Sequence, residues 1–430
     1  MAIKPQIRKD EYFDELEVMT VEKREAYFES RLTETVANAY KNAPAAKRIL
    51  DDAEVSPSQI KTIKDLELLP VTRKTDIIEM QKSNPPYGGF LNIPENNVER
   101  VFISPGPIYE PMQHTGIKWF SKSLWAAGFR KGDVVINTFT YHMSPAGILC
   151  HEAISDCGAT AVPVGTGHTE VTVQAMLDLR ATGYVGTPSF LMAIIKQAEE
   201  LGYNFKNDFY IKRAWFTGEM LASSVRQTLE KDYDIDTYQA YAVTEPGGAI
   251  AYECSCKDGL HLMDEYIVEI VNPSNGKQLT DGEVGEVVVT PVHNNTWGLL
   301  RFGTGDLSSI VDDVCPCGRT TKKLTGIQGR IGEAVKVRGM FVVSNQVESL
   351  FAQYREVAKW QITVARIGQR DEMTITAELC DDNCDKIKLA DEIGNRFKSI
   401  CLINPDKIEF VPADTLPKDS KTIVDNRKWD

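Results

Sequence analysis

Short apolar runs alternate with amphipathic stretches between about Val101 and Leu221. The apolar runs are rich in Val, Ile, Phe and Trp, as in "DVVINTFT", "TAVPVG", "ATGYVGTP" and "RAWFTGE". The stretches between them, "SPAGILCHEAISDCG", "TVQAMLDLRA" and "SFLMAIIKQAEELG", repeat apolar residues at helical spacing. Regular alternation of strands with helices predicts a parallel sheet with right-handed crossovers.

The pattern differs on either side of this region. The preceding residues are mostly helical, with the amphipathic stretch "REAYFESRLTETVANAYKNA", whereas after Glu245 shorter strands are separated by Asn, Gly and Asp turns. From about Gly329 a unit of roughly 100 residues combines strands with one helix. It ends in a polar tail, "LPKDSKTIVDNRKWD", whose simplest interpretation is a frayed C-terminus. These changes predict an α/β fold with a large domain over residues 1–328 and a small α+β domain over residues 329–430.

Composition narrows the classes of partner and location. The 430-residue chain has a formal net charge of −13, which argues against nucleic acid as a partner. The start, "MAIKPQIRKDEYFDEL", has no apolar core of a signal peptide, and no apolar run is long enough to span a bilayer. We therefore expect a cytoplasmic protein with no membrane partner.

Four of the nine cysteines form two Cys-x-Cys pairs, in "ECSCKDGLH" and "VCPCGRTTKKL". Thiolates and an imidazole at short spacing suit tetrahedral Zn²⁺, and four protein ligands make such a site structural. The preferred ligand set is Cys254, His261, Cys315 and Cys317, with Cys256 as the alternative to Cys254. The competing interpretation is two unrelated pairs of free thiols.

Two segments end in carboxylates that suit a nucleotide. In "YQAYAVTEPGG", Glu245 follows Tyr241 and Thr244 where a strand enters a loop, a position where a carboxylate holds Mg²⁺ beside a phosphate. In "LLRFGTGDLSS", Asp306 follows a Gly-Thr-Gly sequence, where a carboxylate accepts two ribose hydroxyls. Taken singly, a surface turn is the commoner explanation of each.

Basic residues and glycines alternate in "GRIGEAVKVRGMFVVSNQVE". Glycine between cations suits a hinge with two settings that present different faces to an anion. The residues concerned are Arg330, Gly332, Lys336, Arg338 and Gly339. A basic hairpin is the alternative.

In this order and spacing the segments resemble the phenylacetate–CoA ligase family of the adenylate-forming superfamily. "WFTGEML" stands where the family has a Gly-Ala-Glu motif, "YAVTE" resembles its Tyr-Gly-x-Ser/Thr-Glu motif, and "RFGTGDL" resembles its ribose-binding motif. "LPKDSKTIVDNR" resembles the C-terminal motif whose lysine catalyses adenylation, which makes that lysine Lys421, with Lys418 as the alternative. The resemblance covers nearly the whole chain and implies parallel-rich sheets and a β subdomain, followed by a small mobile C-terminal domain.

The resemblance also implies roles for particular residues. The nucleotide-binding set is Gly218, Glu219, Tyr241, Thr244, Asp306 and Arg330. Glu245 would ligate Mg²⁺ in catalysis, and the hinge motif would contact CoA. Family members form dimers, so a homodimer is possible on this basis alone.

The implied reaction is the AMP-forming ligation of a carboxylic acid to CoA. The acid attacks the α-phosphorus of ATP, and CoA then displaces AMP from the acyl-adenylate. Aromatic and small residues in the acyl pocket favour an aryl acid of the phenylacetate or benzoate type, or a larger one, as in aromatic acid degradation. The pocket candidates are Phe139, Tyr141, His142, Phe216 and Ala240.

"SPGPIYEP" departs from the family's phosphate loop, Ser-Ser-Gly-Thr-Thr-Gly-Lys-Pro. Ser104, Gly106 and Pro111 match, but Glu110 stands in place of the lysine, and proline has no N–H to donate to a phosphate. A working ligase would hold pyrophosphate through Mg²⁺, with Glu110 as an added carboxylate. The alternatives are a divergent member with impaired ATP use that handles acyl-CoA or acyl-AMP, and a non-catalytic binding subunit.

Overall fold

A computed structural model describes residues 12–104, 106–113, 118–293, 295–331, 334–338, 340–368, 370–380, 384–401, 403–417 and 421–427. The chain divides into two compact units, Met1–Gly329 and Arg330–Asp430.

The helices α1 to α11 are Val21–Asn42, Pro44–Asp52, Lys74–Ser83, Lys118–Ala126, Ala146–Asp156, Thr169–Asp178, Pro188–Glu200, Phe205–Asp208, Ser223–Gln227, Ser344–Phe351 and Lys386–Cys401. The strands β1 to β21 are Arg100–Ser104, Ile108–Met112, Val134–Asn137, Thr160–Pro163, Gly183–Gly186, Arg213–Phe216, Asp236–Val243, Gly248–Tyr252, Leu260–Leu262, Tyr266–Val271, Gly285–Pro291, Phe302–Ser308, Ile310–Val311, Lys323–Leu324, Gly329–Arg330, Ala334–Val337, Met340–Val343, Val357–Ile367, Arg370–Leu379, Lys407–Val411 and Ile423–Asp425. Short 3₁₀ turns lie at Glu15–Val18, Pro57–Gln59, Ile63–Leu68 and Glu95–Asn97.

Among the described residues of the larger unit, the main sheet has the order β13-β14-β9-β8-β7-β6-β5-β3-β4. The neighbouring pairs β4–β3, β3–β5, β5–β6 and β6–β7 are parallel, and β8 is antiparallel to β7. Helices α5, α6 and α7 connect the parallel strands, as the alternation of the sequence predicts. Trp215 and Phe216, adjacent on β6, pack into separate hydrophobic cores on the two faces of the sheet.

A second sheet in the larger unit carries the candidate carboxylate Asp306. Strands β10, β11 and β12 are antiparallel neighbours, and β12 carries Asp306. Just before β12, the fully buried Arg301 pairs with Glu269 at 2.8 Å and also donates to the carbonyl oxygens of Leu69 and Gly276. These contacts tie the start of β12 to the N-terminal helical region.

The segment interpreted as a phosphate loop is largely a β-hairpin. Strands β1 and β2 are antiparallel, with Phe102 opposite Glu110 and Ser104 opposite Ile108. The side chains of these four residues are buried, whereas Val101 and Tyr109, on the other face, are exposed. The segment interpreted as a variant phosphate loop is therefore strand at Ser104 and over 108–111, and Glu110 belongs to a buried strand face.

The smaller unit has its own core. Its sheet has the order β20-β19-β18-β21, and α10, α11 and the β16–β17 hairpin pack on it around Val337, Ile362 and Phe397. Ile423 pairs in parallel with Ile362, so the tail is not simply frayed: part of it is an edge strand. The predicted α/β class is confirmed, whereas mobility of this unit stays a prediction. No helix of the described residues is long and apolar enough to cross a membrane.

Candidate active site

The carboxyl edge of the main sheet holds two of the predicted motifs. Gly218 and Glu219 follow β6, and the left-handed backbone of Gly218, with φ of 85°, turns the chain away from the strand. Thr244 and Glu245 follow β7, where the backbone N–H of Gly247 donates to the carbonyl of Thr244 at 2.9 Å. Strand ends at such an edge are where open α/β sheets bind ligands.

Tyr241 and Asp306 come from different sheets and meet. The Tyr241 hydroxyl donates to Oδ2 of Asp306 at 2.8 Å, and the Asp306 amide donates to Thr304 Oγ1 at 3.1 Å. These contacts hold the carboxylate in one orientation. The structure therefore brings together two residues that the sequence assigns to one nucleotide.

Ser189 is a site residue that the sequence reasoning missed. It lies in the first turn of α7, and its hydroxyl donates to Glu219 Oε1 at 2.8 Å. A carboxylate near a helix N-terminus is favoured by the helix dipole. The "TPS" sequence at the helix start, with Thr187 as N-cap, was the available signal.

Lys74 was also missed, and it contacts the predicted magnesium ligand. Its ammonium lies 2.6 Å from Glu245 Oε1, and the Glu245 side chain is buried. Lys74 is the first residue of α3, a position where a cation opposes the helix dipole. No local pattern in the sequence indicates this contact.

Glu110 lies beside this ion pair. Burial, and then the negative charge of Glu245, raise the pKa of the Glu110 carboxyl to about 8, while Ser104 and Lys74 act in the opposite direction. The family's loop lysine is thus replaced by a buried acid.

The proposed acyl-pocket residues are only partly brought together. A Cβ placed on Gly218 would lie 3.9 Å from the Phe139 ring and 3.8 Å from Thr187, so Phe139 borders Gly218. Tyr141 is half-buried and accepts from Asn137 Nδ2 at 2.8 Å. Ala240 is buried on β7, in the core that includes Trp215.

Two members of that set have other surroundings. His142 is exposed, so it does not line a buried pocket. Phe216 is fully buried in the core around Tyr184, whose ring centroid lies 5.9 Å away. Because Phe216 points into that core, its contribution is to packing of the sheet.

The predicted residues of the smaller unit differ in their exposure and in their contacts. Lys421 is exposed, and its backbone carbonyl accepts from Gln361 Nε2 at 2.9 Å. Arg338 is engaged with Asp406 at 3.1 Å. Lys336 lies on β16. Arg330 lies in β15 and is the first residue of the second unit along the chain. Gly332, Gly339 and the alternative lysine, Lys418, lie outside the described residues.

The preferred cysteine and histidine set forms a buried cluster. The ligand atoms of Cys254, His261, Cys315 and Cys317 all lie within 4.8 Å of one another, with 3.7 Å between the sulfurs of Cys254 and Cys315. These spacings suit a tetrahedral ion bound to sulfur at about 2.3 Å and nitrogen at about 2.0 Å. The alternative ligand, Cys256, is exposed and outside the cluster.

Contacts around the cluster favour metal binding. His261 Nδ1 lies 3.0 Å from Thr321 Oγ1, and Nε2 lies 3.4 Å from Cys317 Sγ, which directs Nε2 into the cluster. Backbone amides of Cys256 and Arg319 donate to the sulfurs of Cys254 and Cys317. The side-chain contact between Cys254 and Cys317 raises the pKa of the Cys254 thiol and lowers the pKa of the Cys317 thiol.

The sequences of known proteins match this chain over most of its length. Residues 114–294 match the AMP-binding enzyme family, and residues 339–427 match the AMP-binding enzyme C-terminal domain. The chain is 31% identical to the phenylacetate-coenzyme A ligase of Thermus thermophilus over 382 residues, covering 86% of this chain and 84% of that protein. The Escherichia coli phenylacetate-coenzyme A ligase is 26% identical over 422 residues, covering 94% of each chain.

The fold also matches a solved structure. The crystal structure of 2-hydroxyisobutyryl-CoA ligase in complex with 2-HIB-AMP and CoA superposes with a TM-score of 0.91, at 23% identity, over 99% of this chain and 94% of that one. At this identity the likeness concerns the fold alone. The sequence matches confirm the resemblance noted from the motifs: this chain belongs to the phenylacetate–CoA ligase family of adenylate-forming enzymes.

Proposed function

We propose that the protein is an ATP-dependent, AMP-forming ligase that converts an aromatic carboxylic acid to its CoA thioester through an acyl-adenylate. The observation that carries the proposal is the hydrogen bond between Tyr241 and Asp306. It joins Asp306, the carboxylate expected to bind ribose, to the residue that opens the "YAVTE" motif, whose last residue is the buried Glu245. Membership of the family supports the same reaction.

Each residue has a binding or positioning task in this reaction. Asp306 accepts the ribose hydroxyls, Tyr241 holds Asp306 and borders adenine, and Glu245 offers oxygen to Mg²⁺. The ion, when bound, neutralises charge on the phosphates of ATP. Lys421 places a positive charge at the α-phosphate for adenylation, and Gly218 with Phe139 borders the acyl group.

The ligand atoms that the protein offers indicate which cations it would bind. Carboxylate oxygen suits Mg²⁺, and the buried cluster of three thiols with one imidazole suits Zn²⁺. The zinc would be structural because four protein ligands complete its coordination. The remaining expectations for the protein, a cytoplasmic location and a homodimer, stay predictions.

Product analysis tests the proposal directly. The purified chain is incubated with MgATP, CoA and a panel of aryl and linear fatty acids, and AMP and thioester are measured. We expect AMP and thioester in equal amounts, with the aryl acids preferred. Preference for fatty acids would contradict the assignment of the acid. Absence of AMP with every acid, together with binding of acyl-CoA, would favour the alternative in which the altered hairpin prevents ATP use.

Tyr241→Phe tests the nucleotide site. Loss of the hydroxyl removes one hydrogen bond to Asp306, worth about 0.5–1.5 kcal/mol. We therefore expect the KM for ATP to rise about two- to twelvefold with little change in kcat. Steady-state kinetics at saturating acid and CoA provide the measurement, and Tyr210→Phe, at an exposed tyrosine, serves as the matched control. An unchanged KM for ATP would show that Asp306 is not held for ribose.

A further inference from the structure

We infer that Glu286 is a positioning residue for the ribose site: from the neighbouring strand, its buried carboxylate holds the part of β12 that carries Asp306. The inference rests on the proposed function for the identity of the nucleotide. The contacts that support it lie within the protein, and nucleotide binding tests it without an acid or CoA.

Strand β12 departs from regular pairing where it carries Asp306. The register of β11 with β12 shifts between Glu286 and Val288, so residues 304–306 form a bulge outside the regular ladder. Gly305 has a left-handed backbone with φ of 74°, which glycine adopts without steric cost. Because a bulge interrupts the ladder hydrogen bonds, other contacts must fix the orientation of Asp306.

The Glu286 carboxylate reaches the middle of this bulge. Its Oε1 accepts a hydrogen bond from the Gly305 amide at 3.2 Å, and the Glu286 side chain is fully buried on β11. Hydrogen bonds to a carboxylate are stronger than those between neutral groups. Gly305 directly precedes Asp306, so a bond at this amide restricts the backbone that orients the ribose-binding carboxylate.

Arg73, the residue before α3, holds the Glu286 carboxylate in place. Its guanidinium contacts Glu286 Oε1, the same oxygen that accepts from Gly305. The adjacent Thr72 carbonyl accepts from the Gly303 amide at 3.0 Å, so this segment is also bonded directly to β12. Pairing with a guanidinium offsets part of the cost of burying a carboxylate, which keeps Glu286 beside the bulge.

Gly303 leaves the space that this contact needs. A Cβ placed on Gly303 would lie 2.7 Å from each of three side-chain atoms, which belong to Glu286, Arg73 and Val71. The Glu286 atom is Oε1, the acceptor of the Gly305 bond. Gly303→Ala should therefore displace the carboxylate from the bulge without changing its chemistry.

Calorimetric titration with MgATP and with its 2′-deoxy analogue tests the inference. The analogue lacks one of the hydroxyls that would donate to Asp306. We expect the wild-type chain to bind MgATP at least about tenfold more tightly than the analogue, as for loss of a hydrogen bond to a charged group. In Glu286→Ala and in Gly303→Ala this ratio of affinities should fall below about threefold.

Two further variants separate positioning from general stability. Glu286→Gln keeps an oxygen that accepts from the Gly305 amide, so it should retain most of the wild-type ratio. Glu265→Ala is the matched control, because it removes another buried carboxylate, which pairs with Lys122 at 2.9 Å. Its melting temperature should fall as that of Glu286→Ala does, whereas its ratio of affinities should equal that of the wild type.

Three results would overturn the inference. The first is an unchanged ratio in Glu286→Ala, or in Gly303→Ala if Glu286→Ala does not fold. The second is an equal loss in Glu286→Gln and Glu286→Ala, since the ion pair with Arg73 and not the bond from Gly305 would then control the site. The third is equal affinity of the wild type for the two nucleotides.

Product analysis separates this inference from the proposed function. If the wild type forms AMP and thioester but the ratio of affinities does not depend on Glu286, the positioning role is wrong and the ligase stands. If the ratio depends on Glu286 and no acid yields AMP, the positioning role stands and the proposed reaction is wrong.

Discussion

Lys421→Ala is expected to lower the rate of adenylate formation about 100- to 1,000-fold, the usual effect of removing one charged or hydrogen-bonding group that stabilises a transition state. Thioester formation from supplied acyl-adenylate and CoA should change by less than about threefold, because CoA attack does not need that charge. Acid-dependent exchange of labelled pyrophosphate into ATP measures the first half-reaction. Thioester release measures the second.

The setting of Lys421 makes this prediction a test of chemistry rather than of folding. The side chain is exposed, and the backbone is held by a hydrogen bond from Gln361 to the Lys421 carbonyl and by another from the Ile362 amide to the Thr422 carbonyl. Alanine keeps both bonds, so the melting temperature should not change. Lys398→Ala, at an exposed lysine of α11, is the control. Equal loss of both half-reactions, or no loss, would contradict the assignment and direct attention to Lys418.

The parallel sheet could be predicted from sequence because its central strands are buried on both faces. Such strands appear as short apolar runs, and β3, β5 and β6 all do so. Strand β2 could not be predicted in this way, since its buried positions alternate Ile108 with Glu110 and it includes Pro111. Strand β21 was missed because its pairing partner, β18, lies far away in the chain.

In the candidate site, too, residues in local motifs could be predicted from sequence, whereas residues placed by tertiary packing could not. Glu245 and Asp306 were identified because each belongs to a local motif with glycine turns. Lys74 reaches Glu245 only through the packing of α3 on the hairpin, and no local pattern encodes that distance. His142 was misplaced for the converse reason: a polar residue next to aromatic ones looks like a pocket residue in the sequence, but its exposure depends on the path of the loop.

The cysteine and histidine cluster also fixes the N-terminal part of the described chain. The Tyr12 hydroxyl donates to the Cys317 carbonyl at 3.0 Å, and Arg319 pairs with the fully buried Glu17 at 2.6 Å. The Thr320 amide donates to the Glu17 carbonyl at 3.0 Å. A metal ion that holds the segment around Cys317 therefore also holds the turn Glu15–Val18 in place.

Zinc removal should accordingly destabilise the larger unit and release this N-terminal segment. The purified chain is expected to contain one zinc ion. Cys317→Ser, or chelation, should cost at least about 4 kcal/mol, because loss of a bound metal belongs to the causes of unusually large destabilisation. For a unit of this size we expect the melting temperature to fall by about 5–10 °C. Elemental analysis and calorimetry provide the two measurements.

Limited proteolysis distinguishes a local metal effect from general instability. Arg24 donates to the Thr320 carbonyl at 2.9 Å and pairs with Asp264. Trypsin should therefore cleave after Arg24 only once the segment around Cys317 has loosened. Cys256→Ser, whose thiol is exposed and outside the cluster, should keep the metal, the melting temperature and the resistance at Arg24. If instead Cys256→Ser lost the metal while Cys317→Ser retained it, the ligand set would be wrong. A chain free of metal with an unchanged melting temperature would mean that the buried thiols pack as ordinary core residues. The N-terminal turn would then be held by contacts such as the pairing of Glu17 with Arg319 and the hydrogen bond from the Tyr252 hydroxyl to Glu17.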